Sequence, residues 1–226
     1  MRPKRRGPVT AVEQPTVGEW RRPWLLVAAL AGALLLTVSW YWANGGNVPA
    51  AEVKVFRWLN DSLPDGLEWA IWGPMQFGAI GAVIAVGLGQ LLLTRQWLLT
   101  VMTVVVGVEA WAVAKVIKPI VDRGRPGVEI DDVIHRGGSI GGGIDAGRGF
   151  VSGHAAIAAG LAVAVTVILP ARWRWVPWLL TLLVGIGRIY FGAHLPLDIV
   201  GGYGLGLLLA GVTLAATGRI VNHDDS

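Results

Sequence analysis

The sequence predicts an all-α protein that crosses a membrane as a bundle of six helices. The first observation is composition, because 54% of the 226 residues are hydrophobic and only 15% are charged. A small soluble protein with so few charges would expose large apolar patches to water. The second observation is pattern, since the apolar residues form continuous runs near the roughly 20 residues that a membrane helix needs. A membrane barrel would require short runs that alternate apolar and polar residues.

Six apolar runs are predicted to be the membrane helices of this polytopic chain. Their approximate bounds are 24–42, 67–93, 97–117, 150–169, 176–191 and 197–217. Several tryptophans lie near the ends of these runs, as expected for the aromatic belts at membrane surfaces. The polar segment 44–67 is predicted to contain a short interfacial helix over 53–59. The longer polar segment 118–150 is rich in glycine and in charges of both signs.

The six runs are predicted to form one domain, residues 24–217, with a polar tail on each side. Residues 1–23 are basic and rich in proline, a composition typical of a disordered tail. Residues 218–226 are a short polar tail. The alternative for the first run is a cleaved signal peptide, because Val48-Pro49-Ala50 offers a weak cleavage site. The length of the basic tail favours an uncleaved first helix.

Lysine and arginine residues beside the runs predict the orientation in a cytoplasmic (inner) membrane. Both termini and the short basic turns at 94–96 and 170–174 are predicted to be cytoplasmic. The segments 44–67, 118–150 and 192–196 then face the outside. The net charge of +4 is explained by this distribution, so nucleic acid is not an expected partner. The chain has no cysteine, which excludes disulfides and thiolate chemistry.

Three short stretches hold the side chains needed to bind a phosphate group and to transfer it to a histidine. They are Lys118 with Arg125-Pro126, then Ser152-Gly153-His154, and finally Arg188, His194 and Asp198. All three lie at or near ends of predicted spans, and the predicted topology puts them on the outer side. The chemistry is therefore expected at a membrane surface, with a lipid as substrate.

The binding half of this chemistry needs cations and hydrogen-bond donors that converge on one anion. Lys118, Arg125 and Arg188 supply positive charge, and the guanidinium fork suits phosphate oxygens. Ser152 and Gly153 lie at the predicted start of the fourth span. A helix start presents backbone N–H groups that have no partner within the helix and so forms a ready anion site.

The transfer half needs a nucleophile and a proton donor. His194 and Asp198 are four residues apart, so one helix face can bring the carboxylate to the imidazole ring. Such a carboxylate fixes the tautomer and stabilises the cation that forms on attack. His154 can donate a proton to the leaving oxygen and afterwards activate water.

These residues resemble the type-2 phosphatidic acid phosphatase superfamily, whose pattern is K-x6-RP, then PSGH, then SR-x5-H-x3-D. The stretch from Lys118 to Pro126 matches the first element in full. Val151 stands where the family usually has proline, and Gly187 stands where it usually has serine. The resemblance covers residues 118–198 by motif, and the whole chain if the six spans are included.

The resemblance implies a six-helix bundle and metal-independent dephosphorylation through a phosphohistidine, without a cofactor. By analogy, His194 is the nucleophile, Asp198 its partner and His154 the general acid. The phosphate would be held by five residues: Lys118, Arg125, Ser152, Gly153 and Arg188. Neither departure from the family pattern removes a named catalytic group.

The expected substrate is a polyprenyl (isoprenoid) diphosphate or, next, a phosphorylated glycerolipid such as phosphatidylglycerol phosphate or phosphatidate. A lipid phosphotransferase would use the same residues and differ only in the acceptor. A non-enzymatic transporter could use Arg188, Asp198 and the histidines as an internal relay, but it would not require the spacing of Lys118 and Arg125. The oligomeric state is not predicted by any feature of the sequence.

Single residues also have structural interpretations. Ser152 can be an ordinary helix N-cap, and Arg188 can be the ion-pair partner of Asp198.

Asp131, Asp132 and His135 are types of residue that bind divalent ions. Nothing in their spacing fixes a coordination geometry, so a solvated acidic loop is the favoured interpretation and no metal site is expected.

Overall fold

The computed structural model describes residues 23–45, 47–136 and 147–224, with side chains described as far as residue 217. The only pairing of extended segments in these ranges is an isolated bridge between Gly124 and Arg148. The prediction of an all-α chain is therefore confirmed. Most of the predicted basic tail and part of the glycine-rich loop lie outside the described residues.

The described residues form nine α-helices. They are α1 (Pro23–Ala43), α2 (Ala50–Ser62), α3 (Glu68–Met75), α4 (Ile80–Thr94), α5 (Trp97–Val121), α6 (Pro126–Glu129), α7 (Gly153–Ile168), α8 (Val176–Tyr190) and α9 (Pro196–Asp224). Short 3-10 turns at Gln76–Gly78 and Ala171–Trp173 precede α4 and α8. The helix α9 continues into the predicted C-terminal polar tail.

Within the described residues, three helices are long and apolar enough to cross a membrane, judged by length and composition: α1, α5 and the first 22 residues of α9. The bent pair α3 and α4 makes a fourth span if it is counted as one. The helices α7 and α8 have 16 and 15 residues. At about 1.5 Å per residue they are shorter than the roughly 30 Å of a hydrocarbon core. Six complete spans therefore stay a prediction.

The second predicted span, 67–93, is two helices rather than one. The helices α3 and α4 meet at 67°, and we call residues 76–79 between them the elbow. Pro74 near the end of α3 has no N–H to donate, and Ala79 has an extended backbone. A Cβ atom at Gly78 would lie 2.4 Å from the carbonyl oxygen of His154. The bend thus seats the elbow directly on the start of α7.

The helix α9 packs between α1 and α7 through glycines on two of its faces. A Cβ atom at Gly204 would lie 2.6 Å from the backbone nitrogen of Leu36 in α1. A Cβ atom at Gly206 would lie 2.2 Å from the carbonyl oxygen of Ala156 in α7. Small residues allow such close backbone contact, which supplies the packing energy of membrane helices. The first turn of α7 is thereby held against the third turn of α9.

The short helix predicted over 53–59 is present as α2 and is longer than predicted; its position at the membrane surface stays a prediction. Its buried residues are Glu52, Phe56 and Asn60, spaced four apart on one face of α2. The Asn60 amide donates to the carbonyl oxygens of Ile134, Ile189 and Tyr190 at 3.0, 3.1 and 3.1 Å. These bonds fix α2 over the end of α8 and the loop that follows α6.

Candidate active site

All three predicted stretches lie at one end of the bundle. The helices α5 and α8 end there, with Lys118 and Arg188 in their last turns. The helices α7 and α9 begin there, and Asp198 is in the first turn of α9. Because α5 and α8 run toward this end and α7 and α9 run away from it, residues up to 80 positions apart converge.

A cavity of about 340 Å³ lies at this end of the bundle. Six of the eight predicted site residues line it: Lys118, Arg125, Gly153, His154, Arg188 and His194. The other two, Ser152 and Asp198, are fully buried behind its wall. The elbow contributes Gly78 and Ala79 to the lining of the cavity, beside the start of α7.

His194 is held by a carboxylate and is almost completely buried. Its Nδ1 lies 3.3 Å from Oδ2 of Asp198, and the same oxygen accepts the Leu195 N–H at 3.0 Å. A carboxylate at Nδ1 favours the tautomer with the proton on that atom, which leaves a lone pair on Nε2. Burial, and then the positive charges of Arg188 and Lys118, lowers the pKa of His194 well below its ordinary value. The lowered pKa favours the neutral ring, which is the form with a lone pair on Nε2.

Arg123 and Glu52 complete a buried ionic network behind His194. Nη1 of Arg123 lies 3.4 Å from Oδ1 of Asp198, and its Nη2 lies 2.5 Å from Oε2 of Glu52. The other oxygen of Glu52 accepts the Leu197 N–H at the start of α9, at 2.7 Å. Two carboxylates and one guanidinium thus share a site from which water is excluded, and each gains a partner for its charge.

Neither Arg123 nor Glu52 is among the site residues predicted from the sequence. Arg123 has a visible signal, since it is a second arginine two positions before Arg125 in the same loop. Glu52 has none, because its partners Arg123 and Leu197 are 71 and 145 positions away in the chain. Only the folded chain shows that α2 contributes to the site.

Ser152 caps α7, as its structural interpretation proposed. Its Oγ accepts the Ala155 N–H at 3.5 Å, and its own N–H donates to the Asp198 carbonyl at 2.9 Å. The N–H groups in the first turn of a helix have no partner within that helix. Since Gly153 and His154 of this turn line the cavity, α7 directs its partial positive charge there.

Lys118 lines the cavity and also binds the backbone of the segment before α7. Its ammonium group donates to the carbonyl oxygens of Arg148 and Gly149 at 3.0 and 3.1 Å. These two bonds tie the end of α5 to the segment that leads into α7. An ammonium group has three N–H donors, so one remains for a ligand.

The acidic loop shows no metal-binding geometry. Asp131, Asp132 and His135 are all exposed. In the part of the chain that the structure describes, no three His, Asp or Glu side chains are grouped in a way that could hold a metal ion.

Comparisons with solved structures show a shared fold. The crystal structure of LpxE from Aquifex aeolicus matches with a TM-score of 0.65 and 19% identity, covering 74% of this chain and 96% of that one. The crystal structure of a PAP2 type phosphatidylglycerolphosphate phosphatase from Bacillus subtilis matches with a TM-score of 0.62 and 21% identity, covering 83% and 96%. None of the curated proteins compared with the chain matches it.

Structural similarity at 19% and 21% identity shows a shared fold but does not assign a family. A family model makes that assignment. The model described as the PAP2 superfamily matches residues 95–221, which is more than half of the chain. The matched range contains all three stretches, from Lys118 to Asp198. The chain therefore belongs to the PAP2 superfamily.

Proposed function

We propose that the protein is an integral membrane phosphatase that removes a phosphate group from a lipid phosphate or diphosphate through a phosphohistidine intermediate. One observation carries this proposal: a buried imidazole, oriented by a carboxylate, lines the same cavity as three cations. Family membership supports it, and so does the name of one structural neighbour, a phosphatidylglycerolphosphate phosphatase.

In this proposal Lys118, Arg125 and Arg188 bind the oxygens of the phosphoryl group, together with the first turn of α7. Phosphoryl transfer depends chiefly on positioning and on stabilising the charge of the transition state. Fixed donors in a partly enclosed cavity do both, because they need not reorganise during the reaction.

The chemistry then proceeds in two steps. Nε2 of His194 attacks phosphorus, the bond from phosphorus to the leaving oxygen breaks, and protonated His154 donates its proton to that oxygen. Asp198 stabilises the charge that develops on the imidazole. In the second step His154 takes a proton from water, which attacks the phosphohistidine. Inorganic phosphate leaves and neutral His194 is restored.

The first test is phosphate release by the purified protein in detergent, with and without EDTA. We expect His194→Ala to lower kcat by at least about 1,000-fold, because removal of a nucleophile eliminates the covalent route. His135→Ala, which changes an exposed histidine of the nearby loop, serves as the matched control.

Equal phosphate release by the wild type and His194→Ala would refute the proposed nucleophile. Complete loss of activity in EDTA, restored by a divalent cation, would refute the metal-free reaction. A wild-type protein that releases no phosphate from any lipid phosphate would favour the transporter interpretation.

A further inference from the structure

The cavity contains a fourth cation that belongs to none of the three stretches. Lys115 lines it together with Lys118, Arg125 and Arg188, and none of the described residues that line it is acidic. Like charges three residues apart on a helix repel each other, and an anion between Lys115 and Lys118 would offset that repulsion. One phosphate monoester brings only about −1.5 to −2 charges near pH 7. Four cations match a ligand with two phosphate groups better.

The place of Lys115 along α5 shows where the second phosphate group would lie. Trp111, Lys115 and Lys118 occupy positions i, i+4 and i+7, which is one face of the helix. At about 1.5 Å per residue, Lys115 lies about 4.5 Å farther along α5 from its site end than Lys118. A charge inside a membrane span is costly and usually serves a function.

A simple membrane anchor would use Lys115 differently. Lysines near helix ends usually extend their ammonium groups toward water. Here the Lys115 ammonium lies 4.7 Å from the ring centroid of Trp111, one turn farther from the end of the helix. The side chain is therefore directed along the cavity and away from the polar end of α5.

The cavity runs from an apolar mouth to the buried histidine. Ile80 and Trp111 line it and are 46% and 40% exposed, on a surface that lipid covers in a membrane. His194 at the inner end is only 3% exposed. A bound lipid would thus leave its chain at the mouth, with Lys115 between the chain and the three inner cations.

We propose that Lys115, supported by Trp111, is a binding subsite for the second phosphate group of a lipid diphosphate. The subsite makes the enzyme select lipid diphosphates over lipid monophosphates. This inference rests on the proposed function and names the substrate class of the same site.

The reaction assigns each phosphate group a place. The terminal phosphate binds to Lys118, Arg125 and Arg188, and His194 attacks its phosphorus. The bond that breaks joins this phosphorus to the bridging oxygen, so the leaving group is a lipid monophosphate. Lys115 neutralises the negative charge that the leaving phosphate gains. Water then cleaves the phosphohistidine, and the products are one lipid monophosphate and one inorganic phosphate.

A lipid monophosphate uses the site differently. Its only phosphate must occupy the inner cations to reach His194, so its leaving group is an alcohol and no phosphate lies at Lys115. The contribution of Lys115 to kcat/KM is therefore expected to be larger for the diphosphate than for the monophosphate.

The test compares a prenyl diphosphate and a prenyl monophosphate of the same chain length in the same detergent. We expect Lys115→Gln to lower the kcat/KM for the diphosphate, divided by that for the monophosphate, about 10- to 100-fold, because a charge-assisted hydrogen bond is lost. Lys115→Arg keeps the charge and should retain most of the wild-type ratio. Lys54→Gln, which removes an exposed lysine of α2, should leave the ratio at the wild-type value.

An unchanged ratio in Lys115→Gln would overturn the subsite, whether both activities fall equally or neither falls. That result would leave the proposed function standing if wild-type protein still releases phosphate and His194→Ala does not. A wild-type protein inactive on both substrates would overturn the function and the subsite together.

Discussion

Asp198 connects His194, the proposed nucleophile, to the rest of the candidate site through the two oxygens of one buried carboxylate. Oδ2 contacts the imidazole of His194 and the N–H of Leu195, and Oδ1 contacts Arg123. A carboxylate with no exposed surface is strongly destabilising unless a positive charge compensates it. Arg123, itself fixed by Glu52, supplies that charge and limits the orientations of the carboxylate.

This network predicts that Arg123→Met impairs both stability and activity. Breaking a buried ion pair by removing one partner costs about 3 to 5 kcal/mol. We expect a lower Tm, and a kcat at least about tenfold lower because the carboxylate that orients His194 loses its fixed position. Tm and the rate of phosphate release, each measured in detergent, test the two effects.

The matched control is Arg148→Met, which removes an arginine that pairs with Asp122 at the surface, where both side chains are largely exposed. An exposed pair contributes only about 0 to 1 kcal/mol, so Tm should barely change. If Arg123→Met behaves like Arg148→Met in both measurements, the buried network has no role in the site.

Site residues could be predicted from the sequence wherever chemistry depends on spacing within one segment. His194 and Asp198 contact each other because four residues make about one helical turn. Lys118 and Arg125 share a cavity because a short loop returns the chain to the end of α5. Glu52 follows no such spacing, since its contacts arise only when α2 packs on the start of α9.

At the scale of elements, the elbow forms part of the wall of the cavity. Residues 67–93 form a continuous apolar run, so composition alone predicts one straight span there. The bend follows from tertiary contact: Gly78 touches the carbonyl group of His154, and this contact seats the elbow against α7. Pro74 is a local signal for the break, but it does not indicate the direction of the bend.

The contact at the elbow predicts opposite outcomes for two glycine substitutions near the start of α4. Gly78→Ala places a methyl group 2.4 Å from the His154 carbonyl oxygen, whereas Gly81→Ala meets nothing within 4 Å. Overpacking costs about 1 to 3 kcal/mol, and a shift of catalytic groups by about 1 Å can cost about 100-fold in rate.

We therefore expect Gly78→Ala to lower both Tm and phosphate release. Gly81→Ala should leave release unchanged and raise stability by up to about 1 kcal/mol, because alanine favours the helix. Thermal unfolding and kcat of the two purified variants give the comparison. Equal behaviour of the pair would show that the elbow does not position α7.

At the scale of the whole molecule, the bundle has two chemically different ends and an apolar belt between them. Exposed leucines and isoleucines cover α1 and α4, among them Leu30 at 72% and Ile84 at 60% exposure. Such a surface is stable only when lipid covers it. One end holds the candidate site, and the opposite end holds the short turns after α4 and α7.

The charges of those turns predict which end faces the cytoplasm. Arg95 lies in the turn before α5, and Arg172 and Arg174 lie in the turn before α8. Short loops rich in Lys and Arg stay on the cytoplasmic side of a membrane. The candidate site, at the other end, would then face the outside and meet lipid phosphates of the outer leaflet.

Single-cysteine labelling tests this orientation without background, because the chain has no cysteine of its own. Asp131 is exposed at the site end of the bundle and Ala171 is exposed at the opposite end. Each is replaced by cysteine in a separate variant. With intact cells, we expect a membrane-impermeant maleimide to label Asp131→Cys and to label Ala171→Cys only after the membrane is disrupted. The reverse pattern would place the site in the cytoplasm, because the two positions lie at opposite ends of α7. Each variant differs from the wild type at one residue only. Labelling of both in intact cells would mean that α7 does not cross the membrane, and the bundle would have fewer spans than six.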